Sequence, residues 1–444
     1  MSCPELNKHN VYPVPLPDHF GDVLLVYAPL TGDVFFSKRS FVERQELDLK
    51  QCGRASSDEF MRVIEESDNA EKPDLIDSPK RLRQLDIILN YKCNFSCSYC
   101  FSARGRNDKE ISDSALLNTL SLVGRKDSGY DINKVVFTGG GEPLLSLSLL
   151  KDAVKTIRQW QKNADADISV VTNGSLLTDE TLDYFRSNSI AVIISFEILR
   201  DLQETQRSHY DLCRYNILRA MEHKMVPGMR VTITPASVRR MREMIVELHK
   251  TFPKIQSLAM EAVVAPELFA SRAELRDFYQ TFTRQFSECR KQAASVGITP
   301  YCTSFMALDS LKIRMCPGKL CLTPELRITN CSRVSSDNEP LSEPYFYGSF
   351  SADKIVSDDL RFREHTKRYS LDSFPECQSC WARWNCGGGC ARVRDIFPAA
   401  YFTEYCDFVR GCILQEVLDR YDAACRQNGE TLKDYLNRLG NDQK

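Results

Sequence analysis

Three closely spaced cysteines, Cys93, Cys97 and Cys100, are the side chains of this sequence best suited to chemistry. Their spacing, Cys-x3-Cys-x2-Cys, supplies three thiolates from one tight loop. All-thiolate ligand sets suit iron–sulfur clusters and zinc. On a four-iron cubane three thiolates leave one iron open to a small molecule; as three legs of a zinc site they need a fourth ligand from elsewhere. A second set, Cys377-x2-Cys380-x5-Cys386-x3-Cys390, includes Cys386-Gly-Gly-Gly-Cys390, whose glycines let backbone wrap close to a ligand. Cys302, Cys316, Cys321 and Cys331 lie upstream of it and Cys406 downstream. The Cys-x2-Cys pair taken alone again admits zinc. Cys3, Cys52, Cys213, Cys289, Cys412 and Cys425 have no partner at ligand spacing and read as buried or incidental thiols, with Cys412 a substitute for Cys406.

Bulk properties set the context of these thiols. The chain has 444 residues, 43% of them hydrophobic, which is enough for a large core and more than one domain. Eighteen cysteines in so long a chain point to metal or redox chemistry rather than to a disulfide scaffold. The 58 basic and 60 acidic residues nearly balance. Nothing in that balance attracts nucleic acid or an anionic membrane. The start, Met1 to Asn10, lacks the pattern of a secretory signal, and no 18-residue apolar run suggests a membrane span, so a cytoplasmic protein is expected.

The elements that must position the thiols follow from hydrophobic period. Val23–Tyr27 and Val34–Ser37 flank Pro29-Leu30-Thr31-Gly32-Asp33 and read as a β-hairpin in an N-terminal extension, residues 1–80. Strands and helices then alternate. Strands are expected at Leu85–Leu89, Lys134–Thr138, Ile168–Thr172, Ile190–Phe196, Arg230–Thr234 and Ser257–Val264. Helices are expected at Ser112–Val123, Leu147–Gln161, Asp179–Ser187, Tyr210–His223, Val238–Thr251 and Ala270–Val296. Six strand–helix units imply a parallel sheet with crossover helices, an α/β partial (β/α)6 barrel over residues 81–297, with the pattern stopping near Gly297. Residues 298–412 are Cys-rich and irregular, with a small hairpin at Leu320–Thr323 and Arg327–Asn330. Metal clusters would staple such a region. A helical tail spans residues 413–444, its period running from about Cys412 to Leu439.

Placed on this frame, the thiols acquire neighbours. Cys93 follows the first barrel strand directly, and ligands in such folds sit at the carboxyl ends of strands. Thr138-Gly139-Gly140-Gly141-Glu142-Pro143 ends the second strand, about 40 residues after Cys100. Its glycines admit a ligand to the backbone, and Glu142 can accept from an ammonium. Asn173 ends the third strand. Ser195 ends the fourth, followed twelve residues later by Arg207, a partner for a carboxylate.

These motifs resemble the radical SAM superfamily, and Cys377–Cys390 with its flanking cysteines resembles the SPASM extension of enzymes that modify peptides. Together the likeness covers about residues 82–412. It implies that Cys93, Cys97 and Cys100 hold a 4Fe–4S cluster whose open iron binds S-adenosylmethionine (SAM). Gly140, Gly141 and Glu142 would face the methionine amino group, Tyr99 the adenine, and Asn173, Ser195 and Arg207 the ribose and carboxylate. Two auxiliary 4Fe–4S clusters are implied, one on Cys377, Cys380, Cys386 and Cys406. The other would use Cys316, Cys331 and Cys390, with Cys302, Cys321 or an open site in fourth place. Two departures stand out: Ser195-Phe-Glu197-Ile198 where many relatives read Ser-Leu-Asp-Gly, and Leu326 where the pattern expects glycine.

The implied activity is radical peptide maturation. A one-electron donor such as flavodoxin or ferredoxin reduces the cluster, SAM is cleaved, and the 5′-deoxyadenosyl radical takes a hydrogen atom from a precursor peptide. The auxiliary clusters would accept an electron or bind a thiolate, giving an oxidised, cross-linked product. The N-terminal hairpin would recognise the peptide by strand addition. Formylglycine formation as in sulfatase maturation, small-molecule oxidation, and a non-catalytic iron–sulfur or zinc protein are the competing expectations.

Overall fold

The computed structural model describes residues 3–441. Two sheets organise them. The first is antiparallel, in the order β1 (Tyr12–Pro15), β2 (Val23–Ala28), β3 (Asp33–Lys38). The expected hairpin is its β2–β3 pair, in register from Val23 opposite Lys38 to Ala28 opposite Asp33. β1 carries two prolines, which hide it from a propensity reading and confine it to an edge. Its outer edge therefore lacks N–H donors at Pro13 and Pro15, which leaves a added strand little to bond there.

The second sheet holds eleven strands. β4 (Gln84–Ile87), β5 (Lys134–Phe137), β6 (Asp167–Thr172), β7 (Ile190–Ser195), β8 (Gly228–Ile233) and β9 (Ser257–Ala262) are the six expected parallel strands, adjacent in sequence order. Their outward residues are fully buried, as in Leu85, Val135, Ile168, Ile194 and Leu258, because crossover helices pack over them. The parallel pattern continues past Gly297. β10 (Thr299–Tyr301) extends one edge beside β9, and β11 (Leu320–Leu322) pairs in parallel with β4 at the far end of the parallel strands. The boundary drawn at residue 297 thus falls within one continuous sheet. β12 (Arg327–Thr329), the second half of the expected small hairpin, then leads antiparallel into β13 (Phe346–Phe350) and β14 (Ile355–Ser357).

Helices differ from expectation mostly at their ends. Leu147–Ile157 is shorter than read, and Arg200–Gln206 is an additional helix just after the β7 turn. The C-terminal helix begins at Ala399, not near Cys412, and runs to Gln427. Its start follows Pro398, and its break before the helix Leu432–Asn441 falls at Gly429, φ +81°. It packs along Arg272–Ala294, with buried Glu404 bonded to Arg272 and Arg276. Leu432 and Leu436 bury against Tyr12, Val14, Val23 and Leu25 of the N-terminal sheet. Tyr27 Oη donates to Asn385 Oδ1 at 2.7 Å and Trp384 Nε1 to Asn10 Oδ1 at 2.8 Å. The N-terminal extension is therefore bound to the Cys-rich region through a shared core.

Candidate functional site

The carboxyl ends of β4 to β9 surround a cavity of about 200 Å³. Cys93, Cys97 and Cys100 line it from the loop after β4. Gly139 to Glu142 line it after β5, and Thr172 and Asn173 after β6. Ser195 ends β7, and Tyr99 and Arg207 complete the wall. Every residue the sequence marked for SAM shares this cavity with the first three thiols.

Close backbone approach explains two of the glycines. Glu142 N donates to Lys92 O at 2.7 Å, pinning the turn after β5 to the cysteine loop. A Cβ on Gly141 would lie 1.9 Å from Lys92 O; on Gly140, at φ +76°, it would lie 2.5 Å from Ile88 Cγ2. The Glu142 carboxylate is held by donors of the protein itself. Its oxygens accept from Leu144 N (3.1 Å), Thr172 Oγ1 (2.7 Å) and Asn173 N (2.8 Å). Burial pushes its pKa up, and these donors oppose the rise. Asn173 is likewise held: its Nδ2 donates to Asn94 Oδ1 at 2.9 Å, and its Oδ1 accepts from Ser175 N and Oγ. Glu142 and Asn173 therefore knit the second and third strand ends to the cysteine loop.

The departure at Glu197-Ile198 has a structural role. Tyr99 Oη donates to Glu197 Oε1 and accepts from Arg207 Nη1 at 3.1 Å. Burial raises the Glu197 pKa to about 7, with Arg207 and Tyr99 opposing it. Ile198 takes the left-handed conformation, φ +64°, that glycine adopts freely, and its side chain is completely buried. Around this triad Glu197 Oε2, Arg207 Nε and both amide atoms of Gln206 are buried without a hydrogen-bond partner. Of these three residues only Arg207 lines the cavity.

Two further thiol sets line cavities of their own. Cys377, Cys380, Cys386 and Cys406 surround about 530 Å³. Cys316, Cys331 and Cys390 share about 730 Å³ with residues of the first cavity. Gly387, Gly388 and Gly389 all have positive φ, and Gly387 O accepts from Met315 N at 2.8 Å, which brings the Cys386–Cys390 loop beside Cys316. Cys406, on the helix Ala399–Gln427, is the fourth member of its set; Cys412 is packed in the core beside Thr283 and lies outside it. Neither Cys302 nor Cys321 lines the cavity of Cys316, Cys331 and Cys390. Cys302 is buried with its Sγ 3.8 Å from Glu261 Oε2, and Cys321 is buried between Ile88 and Tyr91 on the inner strand β11. Leu326 takes φ +58° in the β11–β12 turn, so the turn keeps the left-handed shape that glycine would favour.

The donor chemistry suits anionic sulfur. Arg106 Nη2 lies 3.3 Å from Cys100 Sγ, Arg394 Nη2 3.7 Å from Cys377 Sγ, and Arg410 Nη1 3.8 Å from Cys380 Sγ. Guanidiniums stabilise thiolates. Burial works the other way on the free thiols, raising Cys93 and Cys97 and pushing Cys331, Cys386 and Cys406 up to about 12. Among the described residues no three Cys, His, Asp or Glu side chains converge as a site for one metal ion. The thiols ring open volumes instead, which a multi-iron cluster fits.

Sequence reading missed Arg106, Phe101, Thr232, Arg230, Glu261 and Arg333, all of which line the first cavity. A signal for two of them was present: Arg230 and Thr232 alternate with apolar Met229, Val231 and Ile233 along β8, marking an inward polar face.

Residues 87–248 match the Radical SAM superfamily. The chain is 25% identical over 138 residues to a radical SAM cyclopropyl synthase of Paramaledivibacter caminithermalis, a stretch that covers 28% of each chain. It is 28% identical over 124 residues to a serine-type anaerobic sulfatase-maturating enzyme of Bacteroides thetaiotaomicron, covering 26% of this chain and 30% of that one. Among solved structures, anSMEcpe with bound AdoMet superposes with a TM-score of 0.57 at 16% identity, over 75% of this chain and 98% of the other. SuiB of Streptococcus suis bound to its precursor peptide SuiA gives 0.52 at 14% identity, over 88% and 96%. These likenesses show an α/β fold of which residues 87–248 match the Radical SAM superfamily.

Proposed function

We propose, from the match of residues 87–248 to the Radical SAM superfamily, that this chain is a radical SAM peptide maturase that oxidises, and cross-links, a ribosomally made precursor. The observation that carries the proposal is the single cavity at the strand ends, shared by Cys93, Cys97, Cys100 and all seven residues assigned to SAM. A 4Fe–4S cluster with SAM on it would supply a carbon-centred radical able to take hydrogen from an unactivated C–H bond.

The chain's own residues have defined tasks in this reading. Cys93, Cys97 and Cys100 hold the cluster, with Arg106 donating to Cys100. Gly140 and Gly141 open the turn so that backbone can face the amino acid end of SAM. Glu142 and Asn173 keep that turn rigid. Tyr99, fixed by Glu197 and Arg207, forms the wall expected at the adenine. The sets Cys377, Cys380, Cys386, Cys406 and Cys316, Cys331, Cys390 would hold two auxiliary clusters, the second with no cysteine in fourth place. The likeness to SuiB and anSMEcpe, both solved with peptides, supports a peptide substrate.

The test is anaerobic incubation of the reconstituted protein with SAM, a flavodoxin or ferredoxin, and peptides encoded beside its gene. Mass spectrometry should show a peptide that has lost hydrogens, matched by 5′-deoxyadenosine. Deoxyadenosine release with every peptide unchanged would contradict the maturase reading.

A further inference from the structure

Two arginines face the first cavity with no ion pair among the described residues, Arg230 feeling the charge of Glu261 at longer range and Arg333 acting on Cys331. Arg230 lies on β8, inward like Thr232, while Met229 and Val231 beside it are buried in the core. Arg333 lies just after Cys331, in the loop following β12. Both also line the adjoining cavity of Cys316, Cys331 and Cys390. Among the described residues neither guanidinium donates a hydrogen bond or forms an ion pair; Arg333 only stacks over Phe101, 5.7 Å from the ring centroid. Burial and then the charge of Arg333 lower the Arg230 pKa, and Glu261 opposes them.

The acids nearby are engaged elsewhere. Glu142 accepts from Thr172, Leu144 and Asn173, and Glu197 from Tyr99. Glu261 Oε1 accepts from Thr303 N at 2.9 Å and Thr303 Oγ1 at 2.6 Å, and it makes no ion pair with either arginine. Arg207 is bonded to Tyr99. Like charges on the walls of a narrow cavity draw an anion strongly. A planar guanidinium binds a carboxylate through two parallel hydrogen bonds, which fixes orientation as well as position.

We propose that Arg230 and Arg333 bind a carboxylate of the substrate in the volume shared by the two thiol cavities. This rests on the peptide-maturase reading and sharpens it, because the carboxylate would then be an Asp or Glu side chain of the peptide. The residue that carries it, or its neighbour, is thereby set between the Cys93–Cys100 loop and the Cys316, Cys331, Cys390 set.

Equilibrium dialysis of the anaerobically purified holoprotein, saturated with SAM at low salt, tests this. The probes are acetylated Ala-Ala-Glu-Ala-Ala amide, its Gln counterpart and free glutarate. The Glu peptide should be retained at least about tenfold better than the Gln peptide, a difference that one charge-assisted bidentate contact can supply. Arg230→Gln and Arg333→Gln should each erode that preference and together abolish it, while Arg230→Lys and Arg333→Lys keep part of it and SAM retention is unchanged. Equal retention of the Glu and Gln peptides by the unmodified protein, or none of either, overturns the proposal. So does a preference that survives the double Gln variant. Loss of SAM retention in the variants overturns it too, assigning the guanidiniums to the SAM carboxylate. Glutarate retained with the same arginine dependence, with the Glu peptide excluded, supports the carboxylate site and instead refutes the peptide reading.

Discussion

Ile198 and Leu326 both stand in left-handed backbone, at the two places where the family patterns favour glycine. A residue with a Cβ there costs about 1–2 kcal/mol. Ile198 offsets this by complete burial; Leu326 is only half-buried, so the strain is easier to expose. Leu326→Gly should therefore be more stable than Leu326→Ala by about 1 kcal/mol, the reverse of the usual order, in chemical denaturation of the cofactor-free protein. Equal stabilities would mean that the turn relaxes when its side chain is lost. Glu197 gives a pH dependence. Its folded pKa, about 7, lies above the ordinary carboxylate value, so the folded state holds its proton more tightly than the unfolded chain does. Its stabilising contribution is complete below about pH 4.5 and is lost as pH rises through 7, a change of up to ~3 kcal/mol. Glu197→Gln should flatten that limb in melts of the cofactor-free protein recorded from pH 5 to 8; an unchanged slope would show that Glu197 stays ionised throughout.

At the scale of elements, the six parallel strands and their crossover helices were legible because buried apolar strands and 3.6-period helices leave strong patterns. What escaped had weak local signals. β1 is written in prolines, β10 is a three-residue strand, and the parallel pairing of β11 with β4, beyond the expected hairpin with β12, is decided by the tertiary fold. The early part of the helix Ala399–Gln427 was obscured by aromatic residues packed against several neighbours, including Phe402, Tyr405 and Phe408. Among site residues, motif spacing identified the thiols and the Gly140–Glu142 turn. It did not show what the Glu142 carboxylate bonds to within the protein, since that depends on donors from another strand end, here Thr172 and Asn173. The turn's closeness to the cysteine loop yields a direct prediction. Gly141→Ala would place a methyl group where Lys92 O now sits, so the β5 turn must move away from Cys93. Iron bound per chain after reconstitution should fall and SAM retention should be lost, while circular dichroism keeps its α/β signature. Full SAM retention would show that the turn tolerates a side chain.

Across the whole molecule, the return of the chain from β10, at one edge of the sheet, to β11, beside β4 at the far end of the parallel strands, carries the Cys-rich region back over the strand ends. Arg230, Glu261 and Arg333 consequently line two cavities at once, joining the Cys93–Cys100 site to that of Cys316, Cys331 and Cys390. The N-terminal sheet and the helix Leu432–Asn441 brace this arrangement from behind through one shared core. Everything assigned to the site depends on Cys93, Cys97 and Cys100 carrying the cluster that cleaves SAM. The most direct measurement pairs iron and sulfide content with 5′-deoxyadenosine release, in the anaerobically reconstituted protein and in the triple variant Cys93→Ala, Cys97→Ala, Cys100→Ala. Three cubanes predict about twelve irons per chain falling to about eight, with deoxyadenosine release abolished. Zinc without sulfide, or release that persists in the triple variant, would contradict the account.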